Sequence, residues 1–232
     1  MSMPGHILLE GGAEFGGRMA EPDRRAIELA GGPGARISII PAAAAPDRNN
    51  ERAGANGMRW FLSLGARNVA VLPLIDRASA ERPEIAATLR DSRLIYLLGG
   101  FTHYLGQTLL GSASWQAILD AHAAGAVVAG SSAGAMVLCE RYYHPEISQV
   151  VAGLDLVPNA CVLPHHDTFG KRWAPRLGEL LPSIVLVGID ERTGMLDDGD
   201  GGQWRVLGQG AVTLYHAGRA TTYREGESFT LM

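Results

Sequence analysis

Short apolar runs recur along the chain, and most contain valine, isoleucine and leucine without alternating polar residues. They lie at residues 6–10, 35–41, 68–74, 93–100, 126–130 and 184–190. Strands that are apolar on both faces are typical of a parallel sheet that is covered on both sides. The pattern therefore predicts a mostly parallel central sheet.

Segments with helical periodicity separate these runs. Residues 20–32 and 49–66 both place apolar side chains at helical spacing. Residues 112–125 begin with Ser112, which has the side chain of an N-cap. Strand and helix signals that alternate along a chain predict right-handed βαβ units. We therefore predict a doubly wound α/β fold with helices on both faces of the sheet.

The last part of the chain has a different pattern. Residues 193–229 contain short strand-like segments separated by turns rich in glycine and aspartate. This pattern predicts an antiparallel β meander at the edge of the same sheet. The sequence contains no linker, repeat or low-complexity block, so residues 1–232 are predicted to form a single domain.

Composition and charge narrow the classes of function. The net charge of −4 argues against a cationic surface of the kind that binds nucleic acids or membranes. The first residues lack the basic and apolar regions of a secretory signal, so a cytoplasmic location is expected. Cys139 and Cys161 lack the spacing of zinc ligands, and we interpret them as small core residues.

The segment Gly130-Ser131-Ser132-Ala133-Gly134 matches G-x-S-x-G between a predicted strand and a predicted helix. In a nucleophile elbow this turn exposes the serine hydroxyl, and the flanking glycines let strand and helix approach closely. The N–H of Ala133 would then lie at a helix N-terminus, where it can bind a developing oxyanion. The alternative is a tight turn built from small residues.

Other predicted strand ends supply residues that such a serine needs. Gly100 follows a central strand, and its N–H is the natural second donor to an oxyanion. His165 and His166 follow another apolar run, and Asp190 and Glu191 follow a third. A histidine that is oriented by a carboxylate can act as the general base for a serine. The residues alone leave open which histidine and which acid take these roles.

Together, these segments resemble the cyanophycinase and dipeptidase E (α-aspartyl dipeptidase) family of serine peptidases. The resemblance lies in "LLGGFT" (97–102), "GSSAGAM" (130–136), "LPHHD" (163–167) and "VGIDERTGM" (187–195). It implies a flavodoxin-like or class I glutamine-amidotransferase-like fold. It also assigns roles to single residues: the nucleophile Ser132, the base His165, the orienting acid Glu191, and the oxyanion donors Gly100 and Ala133.

The chain departs from the cyanophycinase pattern around these motifs. Cyanophycinases carry a glutamine shortly after the Gly-Gly pair, where this chain has Phe101 and Thr102. They also carry a regular run of arginines after the histidine, and the basic residues Lys171, Arg172 and Arg176 of this chain have a different spacing. These differences favour a substrate of the dipeptidase E kind over cyanophycin. We predict that Thr102, Arg172 and Arg176 bind substrate, although the arginines would equally fit the solvated face of a helix at 170–180.

The predicted function is therefore that of a serine peptidase that hydrolyses short peptides, with Asp-containing or isoaspartyl peptides as candidates, through an acyl-enzyme. This chemistry requires no cofactor and no metal, and no His/Asp/Glu group has metal-ligand spacing. The expected partner is a small peptide, with no nucleic acid and no membrane. A homodimer is one open option, because relatives are often monomers or dimers.

Other classes of function remain as alternatives. An α/β-hydrolase esterase shares the elbow and has the chain order serine, acid, histidine, which Asp197 or Asp198 followed by His216 would satisfy. A non-catalytic binding module on the same fold is another. A glutamine amidotransferase is excluded, because its chemistry requires a cysteine at the elbow.

Overall fold

The structure is a computed structural model that describes residues 4–199 and 202–231. The strands are β1 (Ile7–Glu10), β2 (Arg36–Ile40), β3 (Asn68–Val71), β4 (Leu94–Leu97), β5 (Val127–Ser131), β6 (Arg141–His144), β7 (Gln149–Ala152), β8 (Ala160–Leu163), β9 (Val185–Ile189), β10 (Thr193–Leu196), β11 (Trp204–Gly208), β12 (Ala211–His216), β13 (Arg219–Arg224) and β14 (Ser228–Phe229).

Helices occupy most of the connections between these strands. They are α1 (Ala20–Leu29), α2 (Asn50–Ser63), α3 (Arg77–Ala80), α4 (Pro83–Arg90), α5 (Thr102–Leu109), α6 (Ala113–Ala123), α7 (Ala133–Leu138) and α8 (Ala174–Leu180). The predicted cap is confirmed at α6, where the Ser112 hydroxyl accepts the N–H of Trp115 at 3.0 Å. Within 4–199 and 202–231, no helix is both long and apolar enough to cross a bilayer.

The predicted parallel sheet is present and is extended by antiparallel strands. The eight strands lie in the order β14-β11-β10-β1-β5-β4-β2-β3, and the pairs from β1 to β3 are parallel. Helices cover both faces of the sheet. Alternate residues of each strand therefore pack into different core clusters. Leu9 and Leu97 pack on the side of α5–α7, whereas Leu8 and Tyr96 pack on the side of α1 and α2.

A second sheet corrects two expectations from the sequence. The apolar run at 184–190 forms β9, which pairs with β8 and β12 in a sheet ordered β13-β12-β9-β8 and not in the central sheet. The predicted meander is likewise divided between the sheets. Strand β10 pairs with the free edge of β1, and β12 instead folds back onto β9, so one continuous edge meander does not form.

The two sheets meet at the glycines that follow β1. The N–H of His165, after β8, donates to the carbonyl of Gly11 at 2.7 Å, and the N–H of Arg192 donates to Gly12 at 2.9 Å. A Cβ on Gly11 would lie 2.1 Å from the carbonyl oxygen of Asp190, so only glycine fits there. This junction brings the C-terminal ends of β1, β5, β8 and β9 together.

Candidate active site

Ser132 occupies the sharp turn that joins β5 to α7. Its backbone has φ 49° and ψ −108°, a conformation that a residue with a side chain rarely adopts. A Cβ on Gly130 would lie 2.5 Å from the carbonyl carbon of Gly134, and one on Gly134 would lie 2.3 Å from the carbonyl oxygen of Leu97. The glycines are therefore required by the close packing of strand and helix, as a nucleophile elbow needs.

The structure brings His165 and Glu191 to Ser132 in one chain of hydrogen bonds. His165 Nε2 lies 3.1 Å from Ser132 Oγ, which can donate its proton to this nitrogen. The other ring nitrogen, Nδ1, lies 2.7 Å from Glu191 Oε1 and donates to it. The three residues come from three strand ends that are far apart in sequence.

Neighbouring groups hold the imidazole of His165 in place. Its ring stacks on Phe169 with centroids 5.0 Å apart. On the other side, a Cβ on Gly12 would lie 2.3 Å from the His165 ring, so glycine is required there. The His165 backbone has a φ of 48°, and the loop that follows it must accommodate this conformation.

Glu191 is in turn fixed by the loop after β8. The N–H of Glu191 donates to Asp167 Oδ1 at 2.9 Å. The Thr168 hydroxyl lies 3.1 Å from the carbonyl oxygen of His165 and 3.5 Å from Glu191 Oε1. The base and its carboxylate are thus held by the same short segment.

His166 belongs to a separate, buried network. Its Nδ1 lies 3.1 Å from Asp190 Oδ1, and its Nε2 accepts from the Tyr215 hydroxyl at 2.9 Å. Asp190 Oδ2 also accepts the N–H of Ala211 at 2.9 Å. Each of the two adjacent histidines therefore pairs with its own acid. Only His165 of this pair contacts Ser132.

The predicted oxyanion donors border the serine. A Cβ on Gly99 would lie 3.3 Å from Ser132 Cβ, so the Gly99-Gly100 turn is adjacent to the nucleophile. Gly100 has φ 138° and packs closely against Ala43. Ala133 is the first residue of α7, where backbone N–H groups have no partner within the helix.

The predicted substrate-binding residues differ in their surroundings. Thr102 lines a cavity of about 520 Å³ beside Gly100, and its hydroxyl lies 3.4 Å from Met136 Sδ. Arg172 is exposed in the turn before α8. Arg176 is exposed on α8 and pairs with Glu179 at 3.1 Å, so it has a local partner.

Two acids are buried directly behind the elbow. The carbonyl of Glu10 accepts the N–H of Ser132 at 3.0 Å, and its carboxyl accepts the Tyr96 hydroxyl. Asp23 accepts the indole N–H of Trp60 at 2.7 Å. Burial raises the pKa of Glu10 well above its usual value and raises the pKa of Asp23 to about 7. Both carboxyls therefore favour the protonated form.

Glu10 Oε1 and Asp23 Oδ1 each lack a hydrogen-bond partner among the described residues. The nearby Asp23 adds to the effect of burial on the pKa of Glu10, because two neighbouring carboxyls disfavour each other's ionised form.

The thiols are not available as nucleophiles. Cys139 and Cys161 are both buried, as expected of core residues. Burial raises the pKa of both thiols, to about 12 for Cys161. Neither forms a thiolate near neutral pH.

The acids and histidine of the esterase alternative lie elsewhere and are engaged differently. Asp197 accepts the N–H of Ile7 at 2.7 Å, and Asp198 pairs with Arg25 at 2.6 Å. His216 is exposed at the end of β12. In the part of the chain that the structure describes, no group of three or more His, Cys, Asp or Glu residues is arranged to hold a metal.

Sequence reasoning missed several residues of this site. Gly12, Asp167 and Thr168 support the His165–Glu191 pair, and Glu14 accepts the Ser131 hydroxyl at 3.1 Å beside the elbow. The position of Glu14 shortly after a predicted strand was the one sequence feature that could have indicated its place in the site. Its proximity to Ser132 depends on the pairing of β1 with β5, which the sequence does not encode locally.

Comparisons with known proteins identify the family of the chain. The sequence profile of Peptidase family S51 matches residues 7–202. A cyanophycinase from Synechococcus elongatus is 31% identical over 226 residues, covering 90% of this chain and 67% of the relative.

Solved structures show the same fold. A peptidase from an acI-B1 Actinobacterium has a TM-score of 0.89 and 32% sequence identity, covering 98% of this chain and 97% of that one. A putative peptidase E protein from Listeria monocytogenes EGD-e has a TM-score of 0.61 at 18% identity, covering 96% and 99%, which shows a shared fold alone.

Proposed function

The chain belongs to peptidase family S51 and is a serine-type peptidase, and we propose that it hydrolyses short peptides through Ser132, His165 and Glu191. The observation that carries this proposal is the chain of contacts from Ser132 Oγ to His165 Nε2, at 3.1 Å, and from His165 Nδ1 to Glu191 Oε1, at 2.7 Å. The resemblance to the cyanophycinase and dipeptidase E family is confirmed by the profile match.

In the proposed mechanism, Ser132 Oγ attacks the peptide carbonyl while His165 Nε2 accepts the hydroxyl proton. Glu191 accepts the Nδ1–H of His165, which sets the neutral tautomer and stabilises the imidazolium that forms. His165 then donates the proton to the leaving amine. Water hydrolyses the acyl-enzyme by the same proton transfers in reverse, which regenerates the Ser132 hydroxyl.

The negative oxygen that develops on the carbonyl is assigned to the N–H groups of Gly100 and Ala133. Support for this assignment comes from the closeness of the Gly99-Gly100 turn to Ser132 and from the position of Ala133 at the start of α7. A donor of this kind typically contributes about 10²–10³-fold to the rate. The mechanism does not require a metal or a cofactor.

The proposed substrates are short peptides with an aspartyl or isoaspartyl residue on the acyl side. This choice rests on membership of the family and on the motifs that resemble dipeptidase E more than cyanophycinase. Thr102 lines the cavity beside Gly100 and is a candidate contact for the substrate. Arg172 and Arg176 remain candidates for a substrate carboxylate, although Arg176 has its local partner Glu179.

A peptide panel tests this proposal. Asp-X, isoaspartyl and other short peptides are incubated with the protein, with Ser132→Ala as the blank, and the products are separated by mass. We expect cleavage of at least one peptide class and complete loss in the blank. A fluorophosphonate probe should label the wild type but not Ser132→Ala. Hydrolysis of simple esters without cleavage of any peptide would count against the peptidase proposal.

A further inference from the structure

A cavity of about 280 Å³ adjoins the nucleophile on the side of β1. Gly99 and Gly100 form the wall nearest to Ser132, and Glu14 forms another part of the lining. The remaining wall comes from the turn after β2 and from the first half of α2, including Asp47 and Arg52. Gly100 lines both this cavity and the larger cavity that Thr102 lines.

The carboxylate of Glu14 lies beside the nucleophile. Glu14 Oε1 and Ser132 Cβ lie 3.0 Å and 3.3 Å from the same point, the position that a Cβ on Gly99 would take. The other oxygen, Oε2, accepts the Ser131 hydroxyl at 3.1 Å. One oxygen is therefore fixed by the elbow while the other faces the Gly99 wall of the cavity.

The backbone holds Glu14 in this place at the cost of strain. The residues on either side, Ala13 and Phe15, both have positive φ, 56° and 66°, which side-chain-bearing residues rarely adopt. Phe15 is anchored because its ring packs against Trp60 and Tyr96, with centroids 6.5 Å and 5.8 Å away. Strain of this kind persists where the surrounding packing determines the conformation, and it is common at functional sites.

Two acids line this cavity: Asp47 comes from the turn after β2, and Glu14 is the one that contacts the elbow. Glu10 and Asp23 lie behind it, fully buried, and their burial favours the neutral form. The charge of Glu14 itself contributes to the raised pKa of Glu10. A partly exposed carboxylate next to the acyl position favours a cation in the adjoining cavity, because a charge-assisted hydrogen bond forms there.

We propose that Glu14 binds a cationic nitrogen of the substrate residue that becomes the acyl group, chiefly its free α-ammonium. The inference rests on the proposed function, because it takes Ser132 Oγ as the nucleophile that accepts the acyl group. In an α-peptide the ammonium is carried by the carbon next to the reacting carbonyl, and in an isoaspartyl peptide by the following carbon. A carboxylate beside Ser132 is within reach of both. Glu14 thereby selects peptides with a free amino terminus.

The test compares Asp-Leu with N-acetyl-Asp-Leu on the wild type and on Glu14→Gln, which keeps the shape and can still accept the Ser131 hydroxyl. We expect Glu14→Gln to lower kcat/KM for Asp-Leu by about 10- to 100-fold, mainly through a higher KM. The value for N-acetyl-Asp-Leu should change by less than about 3-fold, because it lacks the cation. Asp155→Asn, which removes an exposed carboxylate that does not line this cavity, is the matched control and should leave both values within about 3-fold.

A second pair of substrates identifies the source of the cation. N-acetyl-Lys-Leu carries only a side-chain cation, and its norleucine analogue carries none. A Glu14→Gln effect that is restricted to N-acetyl-Lys-Leu assigns the contact to a basic side chain and overturns the assignment to the α-ammonium. Equal losses on charged and uncharged substrates, or no loss on any, would overturn the cation contact altogether.

Binding separates this inference from the proposed function. The affinity of Asp-Leu and of its acetylated form is measured by calorimetry on Ser132→Ala with and without Glu14→Gln, where no hydrolysis is needed. A 10- to 100-fold weaker binding of Asp-Leu alone supports the subsite even if the wild type cleaves no peptide. Failure of the fluorophosphonate probe to label Ser132 in the wild type would overturn the proposed function. Asp-Leu binding that is unchanged by Glu14→Gln would overturn the role of Glu14.

Discussion

At the scale of single residues, the structure distinguishes two adjacent His–carboxylate pairs that the sequence leaves equivalent. His165 and Glu191 contact Ser132, whereas His166 and Asp190 form a buried network with Tyr215. Substitution of His165 and substitution of His166 should therefore have different effects on activity and on stability.

We expect His165→Ala to lower kcat by at least about 10³-fold with little change in the melting temperature, because it removes the base. The matched variant His166→Ala should retain kcat within about 10-fold but lower stability by roughly 1–3 kcal/mol, because it leaves Asp190 and Tyr215 unpaired. Steady-state kinetics and urea unfolding measure both effects. A reversed pattern would assign the base to His166.

The buried acid Asp23 predicts a pH-dependent stability. Its pKa is raised from the usual 3.8 to about 7, so between these values the folded protein holds a proton that the unfolded chain has lost. Stability therefore falls as the pH rises through this window, and the full loss is present above about pH 7. Asp23→Asn cannot ionise and should be more stable than the wild type by roughly 1–4 kcal/mol at pH 8.

At pH 4 the difference between Asp23→Asn and the wild type should be small, because Asp23 is then protonated in the folded state. Urea unfolding at pH 4 and pH 8 provides the measurement. Asp47→Asn changes an exposed aspartate and serves as the control. A stability difference that is the same at both pH values would contradict ionisation of Asp23 as the cause.

At the scale of elements, the approach of β5 to α7 defines the elbow. The glycines Gly130 and Gly134 are required because each lacks room for a Cβ. The pattern G-x-S-x-G between a strand and a helix was readable from the sequence for this reason. The close approach of Gly134 to Leu97 of the neighbouring strand was not, because it depends on how β4 and β5 pair.

Gly130→Ala tests this packing. The new methyl would lie 2.5 Å from the Gly134 carbonyl carbon, so strand or helix must shift, and we expect a loss of roughly 1–3 kcal/mol in unfolding free energy. Gly178→Ala on α8 is the control, because nothing lies within 4 Å of its Cβ position. That variant should be neutral or gain up to about 1 kcal/mol from the lower cost of ordering alanine. Equal effects of the two substitutions would contradict a packing constraint at the elbow.

At the scale of the whole molecule, the site exists because two sheets meet at Gly11 and Gly12. Ser132 and Gly100 come from the eight-stranded sheet, whereas His165 and Glu191 come from the four-stranded sheet. The relative position of the sheets therefore controls the distance between the nucleophile and its base. Single-domain organisation and a homodimer stay predictions.

Gly11→Ala should separate these halves of the site. Its methyl would lie 2.1 Å from the carbonyl oxygen of Asp190, which pushes β1 away from the end of β9. We expect kcat to fall by more than about 10-fold, because small displacements of the reacting groups are costly, and stability to fall as well. Gly16→Ala, five residues along the same loop with open space around it, is the control for kcat and melting temperature. Unchanged kcat in Gly11→Ala would show that the junction does not control the site.

The features of this protein that depend on local physics can be read from its amino-acid sequence. Continuous apolar runs predicted the parallel sheet, helical spacing predicted α1, α2 and α6, and the small residues around Ser132 predicted the strand–turn–helix joint. Each of these signals lies within a few residues, where hydrophobic periodicity and steric limits act.

Contacts between residues that are distant in sequence emerge from the folded structure. It separated β8 and β9 into a second sheet, assigned His165 and not His166 to Ser132, and brought Glu14 beside the nucleophile. These outcomes depend on strand pairing and on which side of a strand each residue faces. His165 follows β8 with a positive φ and is held by the carbonyl of Gly11 from the other sheet, a contact that the local sequence does not encode.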